Sequence, residues 1–510
     1  MTSDQAIAPR VSVVLLTHRR PHLLSRVVHG IAQLDYPDFE FVVVGDLPSI
    51  HDYGLRSEWA SRIRYAQLEE QNVCKSRNIG IALSSGEIVA FCDDDAVPEP
   101  NWLSELVLPF QTDAVGAVAG AVRGADGVRM EWSGGWFDRT GHETPANWTK
   151  GIKIASSKSQ ITKSRFLALM GVNTAFRRKA LVGVGGFDEA YHYYLDETDM
   201  ALRLARAGWA SAYVAEAQVH HLREANVARD ALKTPRNLFQ IAASKAYFCQ
   251  RHLPPKDVEP ALNAFRNRRI AELDPYIRLG SLRRAGRDAL IAQMDQGLAE
   301  GTRRQPGTSL DSRAEKPPFQ AFLQTDASRR LRLAVISGWG VGPILRARKA
   351  ALRLAEAGHS VTCISFLSGP QAMSVTFDRG VWLHRGGTWQ VMDILRRGGP
   401  VLRHTRAHME LKRMMKQRDF ELALYAGRSS PQDRAIAAHP SFGAIWAKAL
   451  ALPHADLPMA LQELNSVLFK PAINGTHSLQ NASLNQESER LDLAQQPLLR
   501  YNQTRAGAGS

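Results

Sequence analysis

Three consecutive aspartates, Asp93, Asp94 and Asp95, close the hydrophobic run Glu87–Cys92. Side chains alternate along a strand, so Asp93 and Asp95 are expected to point one way and Asp94 another. Two carboxylates converging at a strand end suit a hard divalent cation that also binds substrate phosphates. A solvated acidic turn has the same composition, but three adjacent like charges repel and need a cation or a cationic side chain close by. A second acidic cluster, Asp196-Glu197-Thr198-Asp199, precedes the helical pattern Met200, Leu202, Leu204. A positioned carboxylate there can take a proton from an attacking hydroxyl. Helix capping by Asp196 or Asp199 is the plainer alternative, because a first helical turn favours negative charge. His220 and His221 follow a strand-like stretch, where an imidazole can complete a cation's coordination or serve only the core. Arg77-Asn78-Ile79-Gly80 offers a fork-shaped phosphate donor and a glycine that permits close backbone approach.

These residues need a scaffold, and the first hundred positions supply one by alternating β-branched runs with helical patterns, the sign of βαβ units and a mainly parallel sheet. Val11–Leu16 reads as a buried strand, Leu23, Leu24, Val27, Val28, Ile31 and Leu34 as one face of a helix after Pro21, and Phe39–Val44 as a second strand. A helix over Arg77–Leu83 leads into the strand that ends at the aspartates. Beyond it, Trp102–Phe110 is expected to be helical, Ala114–Val122 a strand, and Glu197–Ala207 an amphipathic helix stopped by Gly208. A second α/β unit is expected from strand Leu333–Ser337, a turn at Gly338, Gly340 and Gly342, a helix to Ala357 and strand Ser360–Phe366.

With 510 residues the chain exceeds one comfortable core. Its 44% apolar and 22% charged residues exclude wholesale disorder and fibrous repeats. The net charge of +14 suits polyanions, anionic lipid or phosphorylated substrates, and residues 223–304 carry sixteen Lys/Arg against nine Asp/Glu. Cys74, Cys92, Cys249 and Cys363 show neither a metal spacing nor a disulfide framework, which favours a reducing compartment. Neither a signal-peptide core nor a run of the ~20 apolar residues that span a bilayer is present. A cytoplasmic location is therefore expected, at most peripheral at the inner membrane face.

Taken together, VSVVLLTHRRPHLL, CKSRNIGIALSSGEIVAFCDDDAVPEPNWL and GVNTAFRRKALVGVGGFDEAYHYYLDETDMALRLARAGW resemble the family 2 glycosyltransferases, over about residues 8–225. The resemblance implies an α/β GT-A fold, a nucleotide-diphosphate sugar donor linked to UDP, GDP or dTDP, Mg²⁺ or Mn²⁺ as cofactor, and inversion at the anomeric carbon. It implies metal ligation by Asp93, Asp95 and His221, the latter a better match than His220. It implies a catalytic base at Glu197, with Asp196 as rival. Donor contacts are implied for Thr17, Arg77, Asp93, Asp94, Asn173 and Asp199, and for Asp46, which sits one residue later than the family's nucleobase-binding aspartate. The acceptor implied is a glycan, a lipid-linked sugar or a protein.

The second unit, LRLAVISGWGVGPILRARKAALRLAEAGHSVTCISF, resembles the N-terminal half of a family 4 glycosyltransferase of GT-B fold over about 330–366. That fold holds its donor mainly in the C-terminal half, for which little chain remains, so a smaller, non-catalytic Rossmann-like domain is expected. The expected organisation is a catalytic domain at 8–233, a basic helical appendage at 234–300, a linker at 301–330, the incomplete Rossmann-like domain at 331–470 and a disordered tail at 471–510. Two other readings stay open: a degenerate transferase that binds glycans or partners, and a sugar-1-phosphate nucleotidyltransferase. The latter lacks its glycine-rich loop, since Thr17-His18-Arg19-Arg20-Pro21 follows the first strand. No nucleic-acid motif accompanies the basic charge, and contact of the basic segment with anionic membrane is the expectation instead.

Overall fold

The computed structural model describes residues 8–222, 234–307, 310, 315–322, 330–337, 341–365, 374–385, 413–414, 417–420 and 422–426. The expected βαβ units open the chain. Strand β1 (Val11–Leu16) is followed by α1 (Pro21–Ile31), β2 (Phe39–Gly45), α2 (Ser57–Ala60), β3 (Ile63–Gln67), α3 (Val73–Leu83) and β4 (Ile88–Asp93). Pro21 starts α1, where its fixed φ suits a helix and its missing N–H leaves nothing unpaired, and the Leu23-Leu24-Val27-Val28-Ile31 face is buried. The side chain of Asn72 caps α3 by accepting from Lys75 N at 3.1 Å. The four strands pair in parallel in the order β4-β1-β2-β3.

The sheet then becomes mixed. In chain order come β5 (Ala96–Pro98), α4 (Trp102–Leu106), β6 (Val115–Arg123), β7 (Met130–Trp132), β8 (Gly135–Asp138), β9 (Glu143–Pro145), β10 (Ile152–Ala155), α5 (Ser157–Lys163) and β11 (Arg165–Leu167). After these come β12 (Asn173–Arg177), α6 (Arg178–Gly183), α7 (Asp196–Arg206) and β13 (Ala210–His221). The helix expected over Trp102–Phe110 stops at Leu106 and continues as a 3₁₀ turn over Leu108–Gln111, because Pro109 cannot donate to an α-helical ladder. The ten-stranded sheet runs β10-β13-β6-β12-β4-β1-β2-β3, with β5 paired to β13 and β7 to β6, and β11-β8-β9 form a small second sheet. β12 lies antiparallel to both β4 and β6.

The basic segment folds as three helices, α8 (Phe239–His252), α9 (Pro255–Arg278) and α10 (Arg284–Gly301), around Leu238, Phe265, Leu273, Leu290 and Met294. The stretch read as a linker is strapped to the first domain at several points. Gly307 N donates to Asp188 at 2.8 Å and Leu310 N to Gly185 O at 2.9 Å. Phe322 is buried against Phe39 and Phe41, giving a polar segment an aromatic anchor.

The second α/β unit comprises β14 (Arg332–Ser337), α11 (Val341–Glu356), β15 (Ser360–Ser365), β16 (Ser374–Asp378), β17 (Val381–Arg385) and β18 (Leu422–Ala426). Its order is β16-β17-β15-β14-β18, with β16 alone antiparallel. Gly358, at φ +96°, ends α11 in a backbone conformation that side chains rarely adopt. Gly338, Gly340 and the expected tail at 471–510 lie outside the described residues. All three sheets fall within one compact unit, Met1–Asp456. Among the described residues no helix is long and apolar enough to cross a membrane.

Candidate active site and metal cluster

The three aspartates separate where β4 ends beside β1. Asp94 turns toward the β1 loop, where Thr17 Oγ1 donates to it at 2.8 Å and Arg20 lies 3.1 Å away. Burial nevertheless lifts the Asp94 carboxyl to about 7, against the opposing pull of Arg20. Asp95 turns to the other side, because the chain continues at once into β5, which pairs with the end of β13 so that Ala96 faces His221. His221 Nε2 thereby lies 3.2 Å from Asp95 Oδ1, while its Nδ1 lies 3.0 Å from Glu131 on β7. One ligand atom from each of Asp93, Asp95 and His221 falls within 4.8 Å of the others.

This donor set fits a hard or borderline divalent cation, two carboxylates with one imidazole being suited to Mg²⁺ or Mn²⁺ rather than to a soft metal. Burial and the adjacent Asp95 charge raise the Asp93 carboxyl. Burial alone would lower His221, but its hydrogen bonds to Asp95 and Glu131 push it up to about 9. A proton on His221 thus offsets part of the carboxylate charge around it. Glu131 is well placed to keep a proton on Nδ1 and leave Nε2 for a metal.

The second acidic cluster is divided by burial. Asp196 is buried and ion-paired to Arg77, which is itself buried and stacked over the rings of Phe187 and Phe91 at 5.0 and 5.8 Å. Glu197 stays partly open, with 22% of its side chain exposed, 4.0 Å from Arg77. Its Oε1 accepts from Gly171 N at 3.0 Å. Both open the helix α7, whose dipole favours negative charge at this end. The residues just before it, Tyr194 and Leu195, have φ of +76° and +65°, a left-handed backbone that costs about 1–3 kcal/mol per residue.

Residues 12–184 match the family model described as glycosyl transferase family 2. The chain carries a family 2 glycosyltransferase domain. Its mixed sheet is the GT-A arrangement expected of that family. Over 232 residues it is 26% identical to the O-antigen biosynthesis protein RfbC of Myxococcus xanthus, covering 44% of this chain and 18% of that one. Over 221 residues it is 28% identical to the succinoglycan biosynthesis protein ExoM of Rhizobium meliloti (strain 1021), covering 41% of this chain and 66% of that one. The chain therefore spans less than two thirds of either relative's length. Among solved structures, the mannosyltransferase PcManGT from Pyrobaculum calidifontis, in complex with GDP-Man and Mn²⁺, aligns at 18% identity with a TM-score of 0.35, covering 58% of this chain and 88% of that one.

Several expected donor contacts are engaged elsewhere. Arg77, expected to face the donor diphosphate, braces Asp196 instead, since its guanidinium is buried behind α7. Asn173 is fully buried, accepting from Trp102 Nε1 at 2.8 Å and donating to Ala121 O and Ala217 O at 2.9 Å, so it ties strands together. Asp199 points toward α8, held at 2.6 Å by Arg203 of its own helix α7 and at 2.7 Å by His252 of α8. Asp46 stays at the crevice end of β2, where its Oδ1 accepts from Arg19 N at 3.0 Å and His18 lies 3.6 Å away. His220 faces away from His221 by strand alternation and meets Glu99 at 2.7 Å.

Sequence reading overlooked Arg20, which reaches both Asp94 and Asp95, at 3.1 and 3.5 Å. Its position just before Pro21, at the start of a helix that follows the first strand, was the available signal. It overlooked Glu131 as well, and for that residue no local signal exists. Nor was Glu99 legible, although it directly follows β5, the strand that starts next to the aspartates. Glu99 is fully buried and also accepts from Arg413 at 2.8 Å and from Arg418 at 2.9 and 3.1 Å, both from the second α/β unit.

Proposed function

We propose that the chain is an inverting glycosyltransferase that moves a sugar from a UDP-, GDP- or dTDP-linked donor to an acceptor hydroxyl during surface polysaccharide or glycoconjugate synthesis, at the inner face of the membrane. The observation that carries this reading is the approach of two unlike acidic groups. The Asp93-Asp95-His221 cluster lies close enough to the partly open Glu197 for that carboxylate's charge to bear on Asp93. The family match and the polysaccharide relatives support the same reading.

In this account Asp93, Asp95 and His221 hold Mg²⁺ or Mn²⁺, and Glu131 keeps the His221 ring oriented. When bound, the cation supplies positive charge that offsets the charge of a leaving diphosphate. Glu197 takes the acceptor's proton as the acceptor oxygen bonds to C1 and the bond from C1 to the diphosphate breaks. The N–H of Gly171 fixes one oxygen of that carboxylate. Asp196 is occupied by Arg77, which favours Glu197 over Asp196 as the base. A single displacement needs one base and no covalent enzyme intermediate. Thr17 and Arg20 hold Asp94 away from the cluster, leaving Asp46 and the His18-Arg19 turn to meet the nucleotide at the crevice beyond the strand ends.

The test is turnover of a panel of UDP-, GDP- and dTDP-sugars with and without Mg²⁺ or Mn²⁺, with product anomers assigned by NMR. Metal-dependent release of nucleotide and an inverted anomer are expected. A nucleotide triphosphate formed from a sugar-1-phosphate, or binding without turnover for every donor, would point to the two other readings instead.

A further inference from the structure

The basic helices α8–α10 were the sequence's candidate for a membrane-facing surface, but many of their cations are neutralised locally. Arg266 pairs with Asp295, Arg269 with Glu272, Arg287 with Asp274 and Asp288, and, just beyond α10, Arg304 with Glu300. A different surface carries charge that is not offset. Residues 144–187 contain eight Lys/Arg and no Asp or Glu. Within them, Lys150, Lys153, Lys158 and Lys163 are all exposed. None of the four forms an ion pair among the described residues. Glu216 of β13 reaches the root of this segment, where the N–H of Gly151 holds it at 3.1 Å.

The same stretch exposes aliphatic side chains. Six large apolar residues are exposed among the described residues, and three of them lie here: Ile152 at 41%, Ile154 at 53% and Ile161 at 42%. Ile152 and Ile154 share a face of β10 by strand alternation, and β10 is the end strand of the large sheet. Ile161 follows on α5. An isolated exposed isoleucine needs no account, but three within ten positions, interspersed with four unpaired lysines, do.

We propose that the β10–α5 surface docks on an anionic lipid bilayer, the isoleucines entering the headgroup boundary and the lysines meeting lipid phosphates. Interfacial attachment needs both aliphatic burial and electrostatic attraction, and this surface supplies both within one short segment. Protein partners are disfavoured by its composition, because stable interfaces are depleted in lysine and enriched in aromatic residues and arginine. A second copy meeting this face across a two-fold axis would set lysine against lysine. Single-stranded nucleic acid would call for exposed stacking aromatics, and the large apolar residues exposed here are isoleucines. The location gives the docking a use. α5 packs against α7, the helix that begins with Asp196 and Glu197, so a bilayer on this flank lies next to a helix of the site.

The experiment is sedimentation of the full chain with vesicles of phosphatidylcholine alone or mixed with phosphatidylglycerol. Two surface variants are compared with wild type, Ile152→Ser/Ile154→Ser/Ile161→Ser and Lys150→Glu/Lys153→Glu/Lys158→Glu, with Arg266→Ala/Arg268→Ala on α9 as the control. Wild type and the α9 control should bind the anionic vesicles and not the neutral ones. Each surface variant should lose about tenfold or more of that binding, with an unchanged melting temperature. Absence of anionic preference in wild type overturns the proposal. So does loss in the lysine variant alone, which would mark a simple polyanion site, or loss in the α9 control alone, which would return the contact to the helices. Binding is read without turnover, so failure here leaves sugar transfer standing, and failure of sugar transfer leaves vesicle binding standing.

Discussion

Arg418 donates through Nε and Nη2 to the two oxygens of Glu99, at 2.9 and 3.1 Å, joining the second α/β unit to the residue that follows β5. Burial would raise the Glu99 carboxyl, but Arg418, Arg413 and His220 hold it well below the usual carboxylate range. Trp382 closes the cluster, 4.3 Å beneath the Arg418 guanidinium and 4.7 Å from the His220 ring. Removing Arg418 takes two charge-assisted hydrogen bonds from the buried Glu99 but leaves it Arg413, so Arg418→Met should cost about 1–3 kcal/mol of stability. The double variant Glu99→Gln/Arg418→Met should recover part of that loss. Urea unfolding of the three proteins measures both quantities.

Arg77 and Asp196 form a buried pair whose role is to hold the first turn of α7. Arg77→Met should therefore lower turnover by about 10–100-fold, the usual range for a residue that orients another. Donor affinity should stay within a few-fold of wild type by calorimetry. A residue that bound the diphosphate directly would lose affinity first.

Gly171 tests the position of Glu197 by crowding. A Cβ added there would collide with Glu197 Oε1 and with the Arg77 guanidinium, and the ends of those side chains can yield. Gly171→Ala should leave the fold intact and displace the carboxylate, lowering turnover without weakening donor binding. An unchanged rate would mean that the position of Glu197 does not matter.

Asp199 is a matter of stability. Burial would raise its carboxyl, but Arg203 and His252 lower it below the ordinary 3.8. Its folded value lies below its unfolded one, so its stabilisation is complete above pH ~4 and is lost as pH falls through the folded value. Asp199→Asn should cost about 3–5 kcal/mol at neutral pH, with Arg203 and His252 left behind. The gap to wild type should narrow as the pH drops below 3.8, as read by denaturant unfolding across pH.

The scaffold was legible where hydrophobic period and length agreed. β1 spans Val11–Leu16 as read, and α7 covers Asp196–Arg206 against an expected Glu197–Ala207. The strands β7, β8, β9 and β11 were missed because each has three or four residues, too few for a period to emerge. The acidic clusters were legible as clusters because their members are adjacent in the chain. Their division of labour was not. Which of Asp196 and Glu197 stays open depends on a partner, Arg77, brought from α3. The contact of His221 with Asp95 depends on the pairing of β5 with β13, and its contact with Glu131 on that of β7 with β6. Long-range registers of this kind leave no local trace. Asn173 and Asp199 show the converse, polar residues near the site whose hydrogen bonds belong to the core.

The most direct measurement sets Asp95→Ala beside Glu197→Gln, comparing Mn²⁺-dependent donor binding by calorimetry with nucleotide release under the same conditions. Asp95→Ala should abolish metal-dependent binding. Glu197→Gln should bind the donor within a few-fold of wild type and lose about 10²–10⁴-fold in turnover. Wild-type turnover in Glu197→Gln, or undiminished metal-dependent binding in Asp95→Ala, would contradict the roles assigned to these two carboxylates.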